Sequence, residues 1–310
     1  MIATVTLNPA LDKCVFVDCL HPNDTNRICR VEVDAGGKGV NVSRVLKELR
    51  SETITLGFIG GHTGRYIEHV LTSEGIHTSF TTIKADTRTN IAIQEASGAP
   101  PTSLNEPGPL ITADELGGFT AHVKEIAVKS KLMIFGGSLP TSVPVDIYKT
   151  LIESVKDTGV KIILDSDGEP MQLGMQVSPF MIKPNRDEVK RLVGVDIQSL
   201  NDAKKAVNLL AEFKVQVIVI SMGAKGAVTA TKDGVWHAVP PEVNVVSTIG
   251  SGDSMVAGMA HIFAGDGSVE DALRWGSAAG AATAMTNGAE ICRRAQIIDL
   301  LDRIVIKKIG

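Results

Sequence analysis

A glycine-rich turn that runs directly into an acidic residue lies near the C-terminal end of the chain, at Gly250-Ser251-Gly252-Asp253 in the stretch STIGSGDSMVAG. The residues that follow are small and apolar, which predicts a helix that begins at these glycines. A helix start presents unpaired backbone N–H groups and the positive end of the helix dipole, so it favours an anion. Asp253 then has two interpretations. It caps the helix, as Asp often does, or it takes a proton while the backbone amides stabilise negative charge beside it.

Polar residues and glycines also follow the other apolar segments that predict strands. Ligands of an open α/β sheet bind beyond the carboxyl ends of its strands, so we expect these loops to meet at one edge of a sheet. The loops and their candidate residues are LNPALD with Asp12, DAGGKGVN with Gly37, Lys38 and Asn41, GGSLP with Ser138, IKPNRDE with Lys183, Asn185 and Glu188, and SMGAKGA with Ser221, Gly223 and Gly226.

Each of these loops has a simpler interpretation when it is taken alone. The Gly36–Gly39 cluster suits a tight turn, and it matches neither the GxxxxGK[ST] nor the GxGxxG phosphate-binding pattern. Asn185 and Glu188 have the spacing of a helix capping box. The glycines of SMGAKGA suit a hairpin turn, and Arg88 suits a solvated surface position.

Taken together, the loops favour chemistry over folding alone. Glycines, acids, amides and cations at one sheet edge exceed what folding requires, and they predict a site for phosphate groups. Asn185 and Glu188 offer oxygen ligands suited to hydrated Mg²⁺. Asp253 then acts as the base that accepts the proton of a substrate hydroxyl during phosphoryl transfer.

The elements that must position these residues alternate between strands and helices. The runs IATVTLN, ETITLGFIGG and KLMIFGGSLP are continuous and apolar, as strands buried on both faces are, and GVNVSRVLKELR carries its apolar residues at helical spacing. This alternation predicts an α/β fold with a mostly parallel central sheet covered by helices on both sides. Two stretches, around residues 13–35 and 88–108, alternate in the strand manner without a helix and predict a small β-sheet lid.

Composition excludes several classes of function. The 310 residues carry a net charge of −4 and only 4% are aromatic, which disfavours nucleic acid as a partner. The N-terminal stretch lacks a basic leader and GSAAGAATAM is too short to span a bilayer, so we expect no signal peptide and no membrane association. The cysteines form no CxxC pair and no zinc-ligand spacing with histidine, so we expect reduced thiols in a cytoplasmic protein.

The ordered motifs resemble a known family. AGGKGVNVSRVL and STIGSGDSMVAG are similar to the two signature segments of the ribokinase-like carbohydrate kinases, specifically the PfkB branch that acts on phosphorylated ketohexoses. NPALD, GGSLP, KPNRDE and SMGAKGA match that branch in the same order, so the resemblance covers essentially the full chain. It implies one domain over residues 1–310, with a three-layer αβα core and the lid inserted, often joined into a homodimer through the lids. It also implies transfer of the ATP γ-phosphoryl group to a sugar hydroxyl with Mg²⁺.

The resemblance also implies a role for individual residues. Asp253 would be the catalytic base, and Gly250, Ser251 and Gly252 the anion hole. The residues assigned to the sugar phosphate are Asp12, Arg27, Gly37, Lys38, Asn41, Arg88 and Ser138. Those assigned to ATP are Lys183, Asn185, Ser221, Gly223, Gly226, Gly252 and Asn287, with Asn185 and Glu188 holding Mg²⁺ through water. The resemblance also allows a bound potassium ion near the loops of Ile249 and Asn287.

Departures from the family pattern bear on the substrate. Asp167 stands where relatives more often have Ser, and Ser251 stands where Ala is usual. The segments RTNIAIQ and SLNEPGP resemble those of fructose-1-phosphate kinases, which favours fructose 1-phosphate as the acceptor and fructose 1,6-bisphosphate as the product. Tagatose-6-phosphate kinase and 6-phosphofructokinase of the minor type are the alternatives.

Functions of other classes also fit part of the pattern. A non-catalytic module that senses nucleotides or sugar phosphates stays open, because a fold does not dictate a function. Asp253 argues against it, since a sensor needs no base at an anion site. A nicotinamide-dependent oxidoreductase fits the strand–helix alternation, but it would need a GxGxxG fingerprint that this sequence lacks. A serine hydrolase would need a GxSxG elbow, which this sequence also lacks.

Overall fold

The structure is a computed structural model that describes residues 1–98, 101–287 and 290–310, so part of the predicted SGAPP turn at 97–101 lies outside the described residues. In chain order the strands are β1 (Ile2–Thr6), β2 (Ala10–Val17), β3 (Arg30–Gly36), β4 (Thr53–Ile59), β5 (His77–Thr78), β6 (Thr81–Thr82), β7 (Arg88–Glu95), β8 (Thr102–Asn105), β9 (Leu132–Gly136), β10 (Lys161–Asp165), β11 (Met181–Ile182), β12 (Val217–Ser221), β13 (Ala227–Thr231), β14 (Gly234–Val239) and β15 (Val305–Lys308). The helices are α1 (Lys38–Glu48), α2 (Gly61–Ser73), α3 (Ala113–Ala127), α4 (Ile147–Val155), α5 (Gly168–Met175), α6 (Arg186–Val193), α7 (Leu200–Leu210), α8 (Ser251–Phe263), α9 (Val269–Ala284) and α10 (Arg294–Leu301).

The large sheet is parallel through its centre. Its strand order is β15-β14-β13-β12-β11-β10-β9-β1-β4-β5, with β6 also paired to β4. Every pairing from β12 across to β5 is parallel, whereas β13, β14 and β15 extend the sheet in antiparallel fashion. The antiparallel pairings of β12 with β13 and of β13 with β14 follow from the short turns between them, because strands joined by a short turn run in opposite directions. The predicted mostly parallel sheet is confirmed.

Alternate side chains of the central strands enter two separate hydrophobic cores. Met133 and Phe135 of β9 belong to the core covered by α3, α4 and α7, whereas Leu132 and Ile134 belong to the core covered by α1, α8 and α9. Successive side chains of a strand point to opposite faces, so the two cores lie on the two faces of the sheet. The predicted three-layer α/β fold class is confirmed. Among the described residues, no helix combines the length and apolar character needed to cross a membrane.

A separate four-stranded sheet has the order β3-β2-β7-β8. The strand β2 pairs antiparallel with β3 and parallel with β7, and β7 pairs antiparallel with β8. Both segments expected to form the small sheet contribute to it, although β2 begins earlier than expected, at Ala10, and β3 ends at Gly36.

The helices α1 and α8 both begin at a glycine. Gly37 caps α1 with a φ of 126°, and a Cβ at this position would lie 2.7 Å from Cγ2 of Thr6, so only glycine suits the turn. Gly250 caps α8 in the left-handed conformation, with a φ of 73°. Asp253 is therefore the third residue of its helix, and the interpretation of Asp253 as the helix cap is wrong. Its side chain instead accepts a hydrogen bond from a residue of α1.

Candidate active site

The N-terminal turns of α1 and α8 bring together a carboxylate and an amide that are 212 residues apart in the sequence. Nδ2 of Asn41 donates a 2.8 Å hydrogen bond to Oδ2 of Asp253. Both helices pack in the same hydrophobic core, so this contact depends on how they lie against each other. Asp253 is buried, with 8% of its surface exposed.

Burial of Asp253 changes its acidity. Desolvation raises the pKa of this carboxyl group from an ordinary 3.8 to about 6. The charge of Lys38 and the hydrogen bond from Asn41 lower the pKa, while the nearby carboxylate of Asp165 adds to the rise. A pKa near 6 keeps the group ionised at neutral pH and still basic enough to hold a proton. These are the properties of a general base.

A second buried carboxylate, Asp165 at the end of β10, joins two lysines. Its Oδ1 lies 3.2 Å from Nζ of Lys38 and 3.4 Å from Nζ of Lys183. Burial by itself would raise the pKa of Asp165, but the charges of Lys183 and Lys38 outweigh it and hold the pKa below its ordinary value. The ionised trio carries one net positive charge beside Asp253. Such a charge stabilises a phosphoryl group in transfer.

The start of α8 completes this positive region. The amide of Ser251 donates to the carbonyl of Thr248, and the amide of Ser254 donates to the carbonyl of Gly250. The amides of Gly252 and Asp253 between them belong to the first turn, whose N–H groups have no partner within a helix. A Cβ on Gly252 would lie 3.4 Å from Nζ of Lys183. Glycine at this position therefore lets an anion approach both the lysine and the helix start.

Asn185 and Glu188 form the predicted capping box at the start of α6. Oδ1 of Asn185 accepts the amide of Glu188 at 2.9 Å, and Oε2 of Glu188 accepts the amide of Asn185 at 2.7 Å. Burial raises the pKa of Glu188, although the Asn185 hydrogen bond and the charges of Lys38 and Lys183 oppose the rise. The capping interpretation is confirmed.

The same pair also suits a magnesium ion. The carboxylate of Glu188 has a second oxygen beside the one that caps the helix, and Mg²⁺ binds through one or two carboxylates, phosphates and water. Within the described residues, no group of three or more His, Cys, Asp and Glu side chains is arranged to hold a metal by itself. The donor set therefore fits a hydrated ion that is held partly by substrate phosphates.

The small sheet supplies a second polar group. Oδ1 of Asp12 accepts a 2.8 Å hydrogen bond from Nδ2 of Asn90, and burial raises the pKa of Asp12. Oδ2 of Asp12 occupies the space that a Cβ on Gly36 would need, at 1.8 Å. Gly36, the last residue of β3, must therefore be glycine for Asp12 to adopt this position.

Arg88, at the start of β7, links the small sheet to the loop after β9. It donates to the carbonyl of Glu106 at 2.9 Å, to the carbonyl of Asn8 at 3.0 Å and to Oγ of Ser138 at 3.3 Å. Nδ2 of Asn8 also donates to Oγ of Ser138, at 3.4 Å. The guanidinium is therefore positioned by the protein, and Arg88 is not a freely solvated surface arginine.

The nucleotide-side candidates follow β12. The amide of Ser221 donates to the carbonyl of Pro184 at 3.1 Å, which places the end of β12 beside Asn185. Gly223 opens the turn with a φ of 60°. Gly226 has a structural reason to be glycine, because a Cβ there would lie 1.9 Å from the carbonyl oxygen of Ala238. The hairpin interpretation of SMGAKGA is confirmed.

Two candidates lie apart from these clusters. Arg27 is exposed in the connection between β2 and β3. Asn287 is exposed after α9, where its carbonyl accepts the amide of Glu290 at 3.0 Å. Their assignment to the sugar phosphate and to ATP stays a prediction.

Sequence reasoning missed three residues at the centre of the site, namely Asp165, Asn8 and Asn90. The signal for Asp165 is its position as the polar residue that ends the buried run KIILD, the same kind of position that singled out the other loops. Asp167 was noted from the sequence instead, as a departure from the family pattern. Asp167 is exposed, caps α5 and pairs with Arg191 at 2.7 Å.

The comparisons with known proteins agree with this geometry. A family model described as pfkB family carbohydrate kinase matches residues 5–296. The chain belongs to this family. The predictions of the family, of the fold class and of a phosphotransferase with an alcohol group as acceptor are therefore confirmed.

Individual members of the pfkB family are similar over nearly the whole chain. A 1-phosphofructokinase of Borreliella burgdorferi is 36% identical over 310 residues, which cover 100% of this chain and 99% of that protein. A tagatose-6-phosphate kinase of Staphylococcus epidermidis is 34% identical over 288 residues, 92% of each chain. The crystal structure of phosphofructokinase-2 from Escherichia coli in complex with potassium has a TM-score of 0.92 and 28% identity, and the match covers 97% of this chain and 98% of that one.

Proposed function

We propose that this pfkB-family chain transfers the γ-phosphoryl group of ATP to fructose 1-phosphate and forms fructose 1,6-bisphosphate. The observation that carries the proposal is the buried carboxylate of Asp253, which lies at a helix start with Asn41 bonded to it and with Lys38 close enough to lower its pKa. The similarity to a 1-phosphofructokinase supports this choice of acceptor.

Asp253 acts on the acceptor hydroxyl. Its carboxylate takes the hydroxyl proton as the hydroxyl oxygen forms a bond to the γ-phosphorus, and the bond from that phosphorus to the β–γ bridging oxygen breaks to release ADP. Asn41 holds the carboxylate in one orientation through its hydrogen bond to Oδ2, which leaves the other oxygen for the hydroxyl.

The positive region beside Asp253 stabilises the group in transfer. Lys183 lies against Gly252, in the first turn of α8, whose amides have no partner within the helix. Asp165 keeps Lys38 and Lys183 close together, and the negative charge on Asp165 raises the pKa of Lys38. Lys38 therefore remains charged when an anion enters.

Asn185 and Glu188 are the residues that would hold Mg²⁺, which neutralises charge on the ATP phosphates when it is bound. Lys183, Ser221 and the loop around Gly223 lie on the same side and would hold the nucleotide. We also propose a potassium ion near Ile249 and Asn287, which the potassium complex of the Escherichia coli enzyme supports.

The phosphate already present on the sugar accounts for the remaining cations. Arg88 is held by Glu106, Asn8 and Ser138, and Lys38 reaches the same region with a third of its side chain exposed. A positioned guanidinium pairs well with a phosphate, so the site favours a phosphosugar over a free sugar. Asp12 is placed to accept hydrogen bonds from sugar hydroxyl groups.

The small sheet serves as a lid and as a dimer contact in this proposal. Its edge strand β3 exposes Val31 and Val33, at 43% and 41%, and the opposite edge strand β8 exposes Leu104 at 55%. Exposed apolar residues on unpaired edge strands favour pairing with a second copy. We place the protein in the cytoplasm, since its four cysteines are free thiols, which a reducing compartment preserves.

Tagatose 6-phosphate is a second candidate acceptor, because a tagatose-6-phosphate kinase is nearly as similar as the 1-phosphofructokinase. Release of ADP is measured with fructose 1-phosphate, tagatose 6-phosphate, fructose 6-phosphate and free fructose at equal concentration. The proposal expects the highest kcat/KM for fructose 1-phosphate. A higher value for either 6-phosphate overturns the choice of acceptor, and equal turnover of free fructose overturns the phosphate-binding argument.

A further inference from the structure

A buried arginine connects the small sheet to the core. Arg44 lies in the middle of α1, and its side chain is 8% exposed. Its guanidinium donates to both carboxylate oxygens of Asp34, at 2.7 and 2.9 Å, and to both of Glu74, at 2.8 Å each. A fifth hydrogen bond of 3.0 Å reaches the carbonyl of Ala35. All five N–H groups of the arginine are thereby used.

These partners belong to different parts of the fold. Asp34 and Ala35 lie near the end of β3 in the small sheet, whereas Glu74 directly follows α2 of the αβα core. We call Arg44, Asp34 and Glu74 the arginine clamp. Because its guanidinium is planar and each acid is bound through two oxygens, the clamp restricts direction as well as distance.

The clamp spans the link between the small sheet and α1. Only Gly36 and Gly37 separate Ala35 from Lys38, the first residue of α1. Two consecutive glycines restrain the backbone less than any other pair, so the link itself does not hold the angle between β3 and α1. Arg44, which lies on α1 and is bonded to β3, supplies that restraint.

The proposed sugar site has one half on the small sheet and one half on α1, so its geometry depends on the angle between β3 and α1. Asp12 pairs in register with Asp34 across β2 and β3, and its Oδ2 rests on Gly36. Lys38 and Asn41 lie on the same helix as Arg44, and Asn41 holds Asp253. The clamp therefore relates Asp12 of the small sheet to the base and the lysine of the core.

We infer that Arg44 is a positioning residue that holds the small-sheet half of the sugar site at its working distance from Asp253. The inference rests on the proposed function for its kinetic test. A merely structural ion pair would make a different prediction, because loss of stability reduces the amount of folded enzyme without changing KM.

The kinetic test replaces Arg44 by lysine, which keeps the charge but cannot bind two carboxylates in a plane. Because a displacement of about 1 Å in a positioned group lowers turnover by about a hundredfold, we expect Arg44→Lys to raise KM for fructose 1-phosphate about tenfold and to lower kcat. KM for ATP should change by less than about twofold, since Lys183 and Asn185 lie outside the clamp. The matched control is Arg191→Lys, which alters an exposed two-oxygen pair with Asp167 and should leave both KM values unchanged.

Two further measurements cover the other outcomes. If Arg44→Lys does not fold, Asp34→Asn weakens the small-sheet half of the clamp while Glu74 stays bonded, and it should raise the same KM. Amide hydrogen exchange of residues 35–41 in the free enzyme should be faster in either variant than in the wild type or in Arg191→Lys.

The results separate the two proposals. A lower melting temperature with an unchanged KM for the sugar phosphate and unchanged exchange at residues 35–41 overturns the positioning role. A wild-type protein that phosphorylates none of the sugar phosphates overturns the proposed function instead. In that case the exchange measurement still decides whether the clamp holds the Gly36-Gly37 link.

Discussion

Asn41 donates its hydrogen bond to the carboxylate that burial has made more basic than an ordinary aspartate, Asp253. The bond favours the ionised form of Asp253 and opposes desolvation, which favours the protonated form. Desolvation prevails over the charge of Lys38 and over this bond, so the pKa of Asp253 is raised to about 6. Five predictions rest on this pair and on the charged groups of the site, and each has its own measurement.

Replacing Asp253 by asparagine removes the proposed base and keeps the shape of the side chain. We expect kcat to fall about 10²- to 10⁴-fold, the range of general-base catalysis, while ATP binding measured by calorimetry stays within about threefold. The control is Asp266→Asn, which alters an exposed carboxylate paired with Lys161 and should leave kcat unchanged. A variant at position 253 with near-normal kcat would refute the assignment of the base.

The same substitution should stabilise the fold. The pKa of Asp253 is raised from 3.8 to about 6 in the folded state, so the folded state binds the proton more tightly than the unfolded one. Its contribution to stability is present at low pH and is lost as the pH rises through 6. At pH 7 we expect Asp253→Asn to raise the free energy of unfolding by up to about 3 kcal/mol, measured by urea denaturation. An unchanged or lower free energy of unfolding contradicts the assigned burial.

The pH dependence of catalysis reports on the same group. The ionised form of Asp253 is the proposed base, so kcat/KM should fall about tenfold per pH unit below pH 6 and reach a plateau above it. Asn41→Ala removes a hydrogen bond that lowers this pKa, and the acidic limb of its profile should move to higher pH. Asn201→Ala, an exposed substitution on α7, should not move it. A limb that is identical in Asn41→Ala and the wild type would exclude Asp253 as its source.

A substitution of Asp165 tests the role of the buried ion pairs that Asp165 forms with Lys38 and Lys183. Asp165→Asn leaves Lys38 and Lys183 close together without their shared counterion. Removing one partner of a buried ion pair is strongly destabilising, by about 3–5 kcal/mol, so we expect a lower melting temperature together with higher KM values for both substrates. The control is Asp167→Asn, two residues along the chain but exposed, which should change melting temperature and KM values little. Unchanged KM values in Asp165→Asn would limit its role to folding.

Arg88 tests the choice of a phosphorylated acceptor. A charge-assisted hydrogen bond contributes about 1.5–3 kcal/mol, so Arg88→Met should lower kcat/KM for fructose 1-phosphate by about 10- to 150-fold. The kcat/KM for free fructose should change little, so the ratio of kcat/KM for fructose 1-phosphate to that for free fructose should fall. Arg65→Met on the surface of α2 is the control. An equal loss for both sugars would mean that Arg88 holds the loops rather than the phosphate.

The amino-acid sequence by itself determined the layers of the fold and the sheet edge at which we place the proposed chemistry. Continuous apolar runs such as KLMIFGG predict buried parallel strands, and local rules place glycines and polar residues where those strands end. The capping box of Asn185 and Glu188 and the hairpin at SMGAKGA are equally local, since each involves residues only a few positions apart. Such features could be predicted from spacing alone.

Only the tertiary structure decided which polar groups are buried together. The bond between Asn41 and Asp253 depends on the packing of α1 against α8, and the contact of Asp165 with Lys38 and Lys183 depends on the order of strands in the sheet. The clamp of Arg44 likewise depends on where β3 and α2 end in space. Acidity and charge balance follow from burial and from neighbours that are distant in the sequence. No local pattern carries that information.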